Sequence, residues 1–173
     1  MFRVLSLVLA IFLLVALSIL GAGYLSEESY TDSVYIDVGY NPDLVWAELI
    51  NVENAHLKKA DVTSVEIVDR YGKLIAWQEN LRNGGYRIYR MNQREEGKRL
   101  VFELTESSYG LTGIWSFQLQ RSIVGTELLI KEESTLTDIK TRGIRYFLGR
   151  NHDLLVWIKY IRVGLTERLL TTP

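Results

Sequence analysis

The stretch Tyr86-Arg87-Ile88-Tyr89-Arg90 sets two tyrosines and two arginines side by side. On a strand, Tyr86, Ile88 and Arg90 share one face, and Arg87 and Tyr89 share the other. An inward arginine could bind a carboxylate or an enolate, and a neighbouring tyrosine could act as acid or base. Cyclase or dehydratase chemistry would use such a pair. The same residues also suit a solvent-facing strand in which arginines cover tyrosines. The two histidines, His56 and His152, stand beside no obvious nucleophile or metal ligand. The absence of cysteine excludes disulfides, thiolate metal sites, a cysteine nucleophile and a lipid-carrying cysteine. No glycine-rich phosphate loop leads into a lysine. The sequence therefore gives no catalytic constellation, no metal site and no cofactor.

A second set of residues could bind rather than react. Trp77, Tyr86, Ile88, Phe102, Leu104, Trp115, Phe117 and Leu119 fall on alternating strand positions. Trp157, Ile158 and Ile161 lie on a helical stripe near the C-terminus. Together, with Arg90 as a polar group, they could line an apolar pocket. Periodicity alone equally permits a solid core.

These residues need a frame. Val34, Ile36 and Val38 alternate with Tyr35 and Asp37, which predicts a strand. Asn41-Pro42 then caps and opens a short helix bearing Trp46. A second helical turn is expected near Asn54 to Lys59. Six further strands are predicted at about 63–69, 74–81, 86–92, 99–106, 112–120 and 127–135. Short turns rich in glycine join most of them, so the sheet should be an antiparallel meander. From Asp138 to Leu170 the period is helical, with Leu154, Ile158, Ile161, Leu165 and Leu169 in one stripe and Trp157 beside it. Gly143, Gly149 and Gly164 should weaken or bend that helix.

The first 24 residues are a separate segment. No charge occurs from Val4 to Gly23, a run long enough to cross a bilayer core. Arg3 precedes it, and Glu27, Glu28 and Asp32 follow. This order predicts a cytoplasmic N-terminus and an extracytoplasmic domain, periplasmic in a Gram-negative cell. A cleaved signal peptide, with Gly21 and Gly23 near the cut, is the alternative and would secrete the domain. The expected division is an anchor at 1–24, a linker at 25–32 and one domain at 33–173. The net charge is −1, which gives no general attraction to nucleic acid, and no nucleic-acid motif is present. "KTRGIRYFLGR", Lys140 to Arg150, combines apolar and basic residues and is the piece of the domain best suited to touch a membrane.

The order strand, short helix, six strands, long helix resembles the helix-grip superfamily, SRPBCC, which includes START lipid-transfer domains and polyketide cyclase/dehydrase-like proteins. "VYIDVGYNPDLVWAEL" is similar to its first strand, proline turn and tryptophan-bearing helix. "SSYGLTGIWSFQLQ" and "VGTELLIKEEST" resemble its late strands. The resemblance covers about Ser33 to Leu170. It implies an α+β fold, with a curved antiparallel sheet of about seven strands wrapped on a long C-terminal helix. "NVENAHLKKADV" departs from the family's tryptophan-bearing mouth segment, so no ligand specificity carries over. The resemblance implies a container for a hydrophobic small molecule or lipid (an isoprenoid or quinone-like compound, for example), held between sheet and long helix, and the apolar run at 4–23 would tether it to a membrane. A cyclase or dehydratase in the same cavity is the first alternative. A pocketless assembly or chaperone-like domain is the second.

Overall fold

The computed structural model describes residues 2–149 and 151–171, with side chains described for residues 3–149 and 151–168. Helix α1, Phe2–Leu25, is long and apolar enough to cross a membrane. Strand β1, Ser29–Val38, begins almost at once, inside the segment expected as linker. Its partner explains this early start: β1 pairs antiparallel with β7, Gly125–Leu136, from Ser29↔Thr135 to Val38↔Thr126. Cross-strand hydrogen bonds thus order residues that composition alone marks as polar linker.

Asn41 caps α2, Pro42–Leu49, accepting from the Asp43 amide. A single 3₁₀ turn, Val52–Asn54, and the short α3, Ala55–Lys58, lead into the sheet. Strands β2 (Val62–Tyr71), β3 (Leu74–Leu81), β4 (Tyr86–Glu95), β5 (Arg99–Ser107) and β6 (Leu111–Ser122) follow. The sheet has seven strands in the order β1-β7-β6-β5-β4-β3-β2, and every pairing is antiparallel. A seven-stranded sheet gripping a C-terminal helix is the helix-grip fold.

The long helix is divided. Helix α4, Ile139–Leu148, is capped by Asp138 accepting from Thr141, and α5, His152–Thr171, follows it. Gly149 lies between them at φ +99°, a left-handed backbone that disfavours other residues and ends the first helix. Helix α5 lays Leu154, Trp157, Tyr160, Ile161 and Leu165 into the core. They meet the inward side chains of the sheet, among them Trp77, Phe102, Phe117, Leu128 and Ile130.

Helix α4 packs on α1 through glycine. A Cβ on Gly23 would collide with the Ile139 carbonyl oxygen, and one on Gly143 with the Ile19 carbonyl oxygen. The two backbones therefore approach as closely as small residues allow.

Candidate functional site

The gap between the sheet and α5 is filled at its middle. Trp157 reaches from α5 to Phe117 and Phe102, with ring centroids 5.1 and 5.8 Å apart. Phe102 in turn meets Phe117 at 5.6 Å and Trp77 at 5.1 Å, and Trp77 stacks on Tyr89 at 5.0 Å. Of the residues expected to line a pocket, Trp77, Phe102, Leu104, Trp115, Phe117, Leu119, Trp157 and Ile161 are all buried in this core. Ile158 is half-buried and borders a narrow cleft of about 170 Å³ between β1 and α5, which also touches Val34 and Leu154.

Three expected lining residues point the other way. Tyr86, Ile88 and Arg90 lie on the outer face of β4, where Arg90 is exposed and Tyr86 donates to Glu106 in solvent. The inward set is Arg87, Tyr89 and Met91. Sequence favours the wrong phase because Arg87 reads as an outward residue. It sits inward because Glu79 is 3.1 Å from its Nε and Asp61 is 2.7 Å from its Nη2. An arginine so paired can be buried.

The interior holds three carboxylates that sequence analysis missed: Glu48, Glu79 and Glu132. Two of them tie elements together. Glu48 of α2 accepts from Lys58 and, at 2.8 Å, from Arg168 of α5. Glu79 accepts from Lys59 at 2.6 Å, and the Lys59 ammonium lies 4.4 Å from the Trp157 ring centroid. Burial lowers the pKa of Lys59, while Glu79 pulls it back up.

Glu132 sits on β7, within reach of α4. It faces Trp115 across the β6–β7 pair and is fully buried. Ser134 donates to its Oε1 at 2.7 Å, and Arg145 of α4 approaches the same oxygen at 3.5 Å. Its Oε2 and the neighbouring Trp115 Nε1 carry no hydrogen bond. Burial pushes the Glu132 carboxyl up to about 7, with the charge of Asp153 adding to the rise. Asp153, at the start of α5, is paired with Arg145. The Arg145 guanidinium lies 4.6 Å over the ring of Tyr30, whose own hydroxyl is raised, chiefly by burial.

Tyr30 and Arg145 have a second face, which borders a cavity of about 610 Å³. Ala22 and Leu25 from the end of α1, Leu136 from β7 and Tyr146 from α4 supply apolar wall. Arg142, paired with Glu28 at 2.7 Å, completes the polar side. An apolar pocket with a few fixed polar groups is the usual form of a small-molecule site. A wider groove of about 840 Å³ takes in mainly outward side chains of β1, β5, β6 and β7, such as Thr31, Thr105, Thr112 and Glu133. It is shallow, and the unpartnered Oε2 of Glu132 is not part of it.

His56 is half-buried and sits 3.2 Å from the Glu53 carbonyl oxygen, and His152 is half-buried at the start of α5. Among the described residues, no group of three or more histidine or acidic side chains is arranged to hold a metal.

Solved structures share this architecture. One is the Zhui aromatase/cyclase from Streptomyces sp. R1128, with a TM-score of 0.68 at 9% identity over 82% of this chain and 96% of that one. A START superfamily protein from Mycobacterium smegmatis has a TM-score of 0.61 at 10% identity, covering 82% of this chain and 99% of that one. The di-domain ARO/CYC StfQ from the steffimycin biosynthetic pathway has a TM-score of 0.62 at 12% identity, over 80% of this chain and 49% of that one. No protein-family model matches the sequence, and no curated protein matches it. At such identities the likeness defines the fold, an α+β helix-grip, and nothing finer.

Proposed function

We propose that the protein is a membrane-tethered binder of an apolar or amphipathic small molecule. The observation that carries this reading is the 610 Å³ cavity at the junction of α1, α4 and β1. Its apolar wall would take the oily body of the guest, removing its surface from water at about 25 cal/mol per Å². Arg145 and Tyr30 would meet the polar end. The α1 helix would hold the domain at the bilayer, with Arg3 on the cytoplasmic side and the domain outside. The site lies at one end of the grip rather than behind Trp157, where aromatic rings fill the space.

The test is native mass spectrometry of the full-length protein released from detergent, alongside an Ala22→Trp variant that fills the cavity. A co-purifying hydrophobic mass on the native chain, lost from the variant, is the expected result. An empty native chain that also fails to take up fatty acids, isoprenoids or quinones would overturn the reading.

Glu132 favours a second reading. A buried carboxyl titrating near 7, with Asp153 and Ser134 close by, is equipped to pass a proton in a cyclase-type reaction. Turnover of a polyketide-like substrate, lost in Glu132→Gln with the guest still bound, would establish it.

A further inference from the structure

Helix α4 is amphipathic in the reverse sense for a protein in water. Two of its three cationic side chains point into the protein: Arg142 is 7% exposed and paired with Glu28, and Arg145 reaches Asp153 and Glu132, while Lys140, in the first turn, is exposed. Its apolar side chains point out. Tyr146 is 66% exposed, Phe147 61% and Leu148 54%, with Ile139 and Ile144 also exposed. A surface helix in water buries its apolar stripe and presents its charges. In lipid the preference inverts, because the surroundings are as apolar as the side chains.

The contact with α1 sets the depth of this helix. Gly23 abuts the Ile139 carbonyl, and Gly143 abuts the Ile19 carbonyl. Four residues forward along α4 thus correspond to four residues back along α1, so the helices run antiparallel. Continuing that register brings Phe147 level with Val15, well inside the uncharged run from Val4 to Gly23. The exposed apolar face of α4 is therefore continuous with the apolar surface of α1.

We infer that α4 beds in the outer leaflet of a phospholipid bilayer beside α1, with Ile144, Phe147 and Leu148 among the acyl chains. This inference rests on the reading of α1 as a membrane span. The chain touches lipid with two helices, and their Gly23–Gly143 seam fixes the domain's tilt. The cavity walled by Ala22, Leu25 and Tyr146 then meets the leaflet, and its guest enters from lipid rather than from water.

The chain has no cysteine, so single-cysteine variants report cleanly. Nitroxide labels would be placed at Phe147→Cys and Leu148→Cys. Leu13→Cys would serve as the span reference and Ile123→Cys as the aqueous reference. The full-length protein would sit in vesicles of phosphatidylethanolamine and phosphatidylglycerol. The expected result is loss of collision with an aqueous nickel chelate at 147 and 148, down to the level at 13, with oxygen collision retained. Labels at 147 and 148 open to nickel while 13 is protected would overturn the bedding of α4 and leave the span intact. Openness at all three would overturn the span and the inference with it. Protection from both nickel and oxygen at 147 and 148 would mean a protein partner covers α4, and would also overturn it. Gly143→Leu should break the seam and restore nickel access at 147 and 148 without changing position 13.

Discussion

The two ends of the helix-grip interior use their inward residues in opposite ways. Under the middle of α5, Trp157, Phe102, Phe117 and Trp77 close ring on ring and leave only packing. Nearby, Glu79 adds charge that pairs with Lys59 at 2.6 Å and with Arg87 at 3.1 Å. At the α4 end, Tyr30 and Arg145 line a cavity, and Arg145 reaches the buried Glu132 at 3.5 Å. The fold thus supplies one frame in which the helix can either seal the sheet or stand back from it. Side-chain volume at a few positions decides which, and the break at Gly149 lets α4 diverge from the line of α5.

The largest effect should come from unsealing the packed end. Trp157→Ala deletes a ring that touches Phe102, Phe117 and Tyr160 and underlies the Lys59 ammonium. The expected loss is about 3–5 kcal/mol of stability, the usual range for such truncation. Chemical unfolding of the full-length protein in detergent measures it. If the surrounding rings do not collapse, the variant should also gain binding of an apolar dye that the native chain lacks at this end. A loss below about 1 kcal/mol would mean that α5 does not seal the sheet here.

A smaller effect, distinguished by its pH dependence, should come from the open end. The Glu132 carboxyl is raised to about 7 by burial first and by Asp153 second. The folded state therefore holds this proton more tightly than the unfolded chain does. Below the ordinary carboxylate range both states are protonated, and the contribution is complete. Between about 4.5 and about 7 the unfolded chain releases its proton while the native protein keeps it, so stability falls as pH rises. Above that window both are ionised and the contribution is gone. Glu132→Gln keeps an acceptor for Ser134 and removes the titration. Native minus variant stability should therefore decline by about 1–3 kcal/mol across the window. Urea midpoints of both proteins at matched pH values would show it. A flat difference would place Glu132 in contact with water.

The strands and their turns were legible because alternation and glycine are local signals. The seven strands, the Asn41-Pro42 helix start and the Asp138 cap can all be read from neighbours in sequence. The site was hidden for the opposite reason. Glu79 shares its strand face with Ile75, Trp77 and Leu81, and Glu132 with Leu128, Ile130 and Leu136, so their inward phase was readable from the sequence. A charge in that phase is credible only once its partner is known. Glu79 finds Lys59 some twenty residues away, and Glu48 finds Arg168 across most of the chain. Arg87 reversed the reading of β4 by the same route. Whether the sheet–helix gap is full depends on ring volumes summed across β3, β5, β6 and α5, which no periodicity contains.

The smallest effect should come from β4's outer face, and it sharpens the comparison by its absence. Tyr86 donates to Glu106 in solvent, and Arg90 is exposed. Neither touches the aromatic seal or the Glu132 end. Tyr86→Phe removes one exposed hydrogen bond, and Arg90→Ala removes one surface charge. Each should change stability by less than about 0.5 kcal/mol, the usual scale for such positions. Neither should alter the guest seen by native mass spectrometry. A lost guest in either variant would move the binding site to the outer face of the sheet. The wide groove over β1, β5, β6 and β7 would then become the better candidate, and the contrast between the sealed and open ends would cease to explain function.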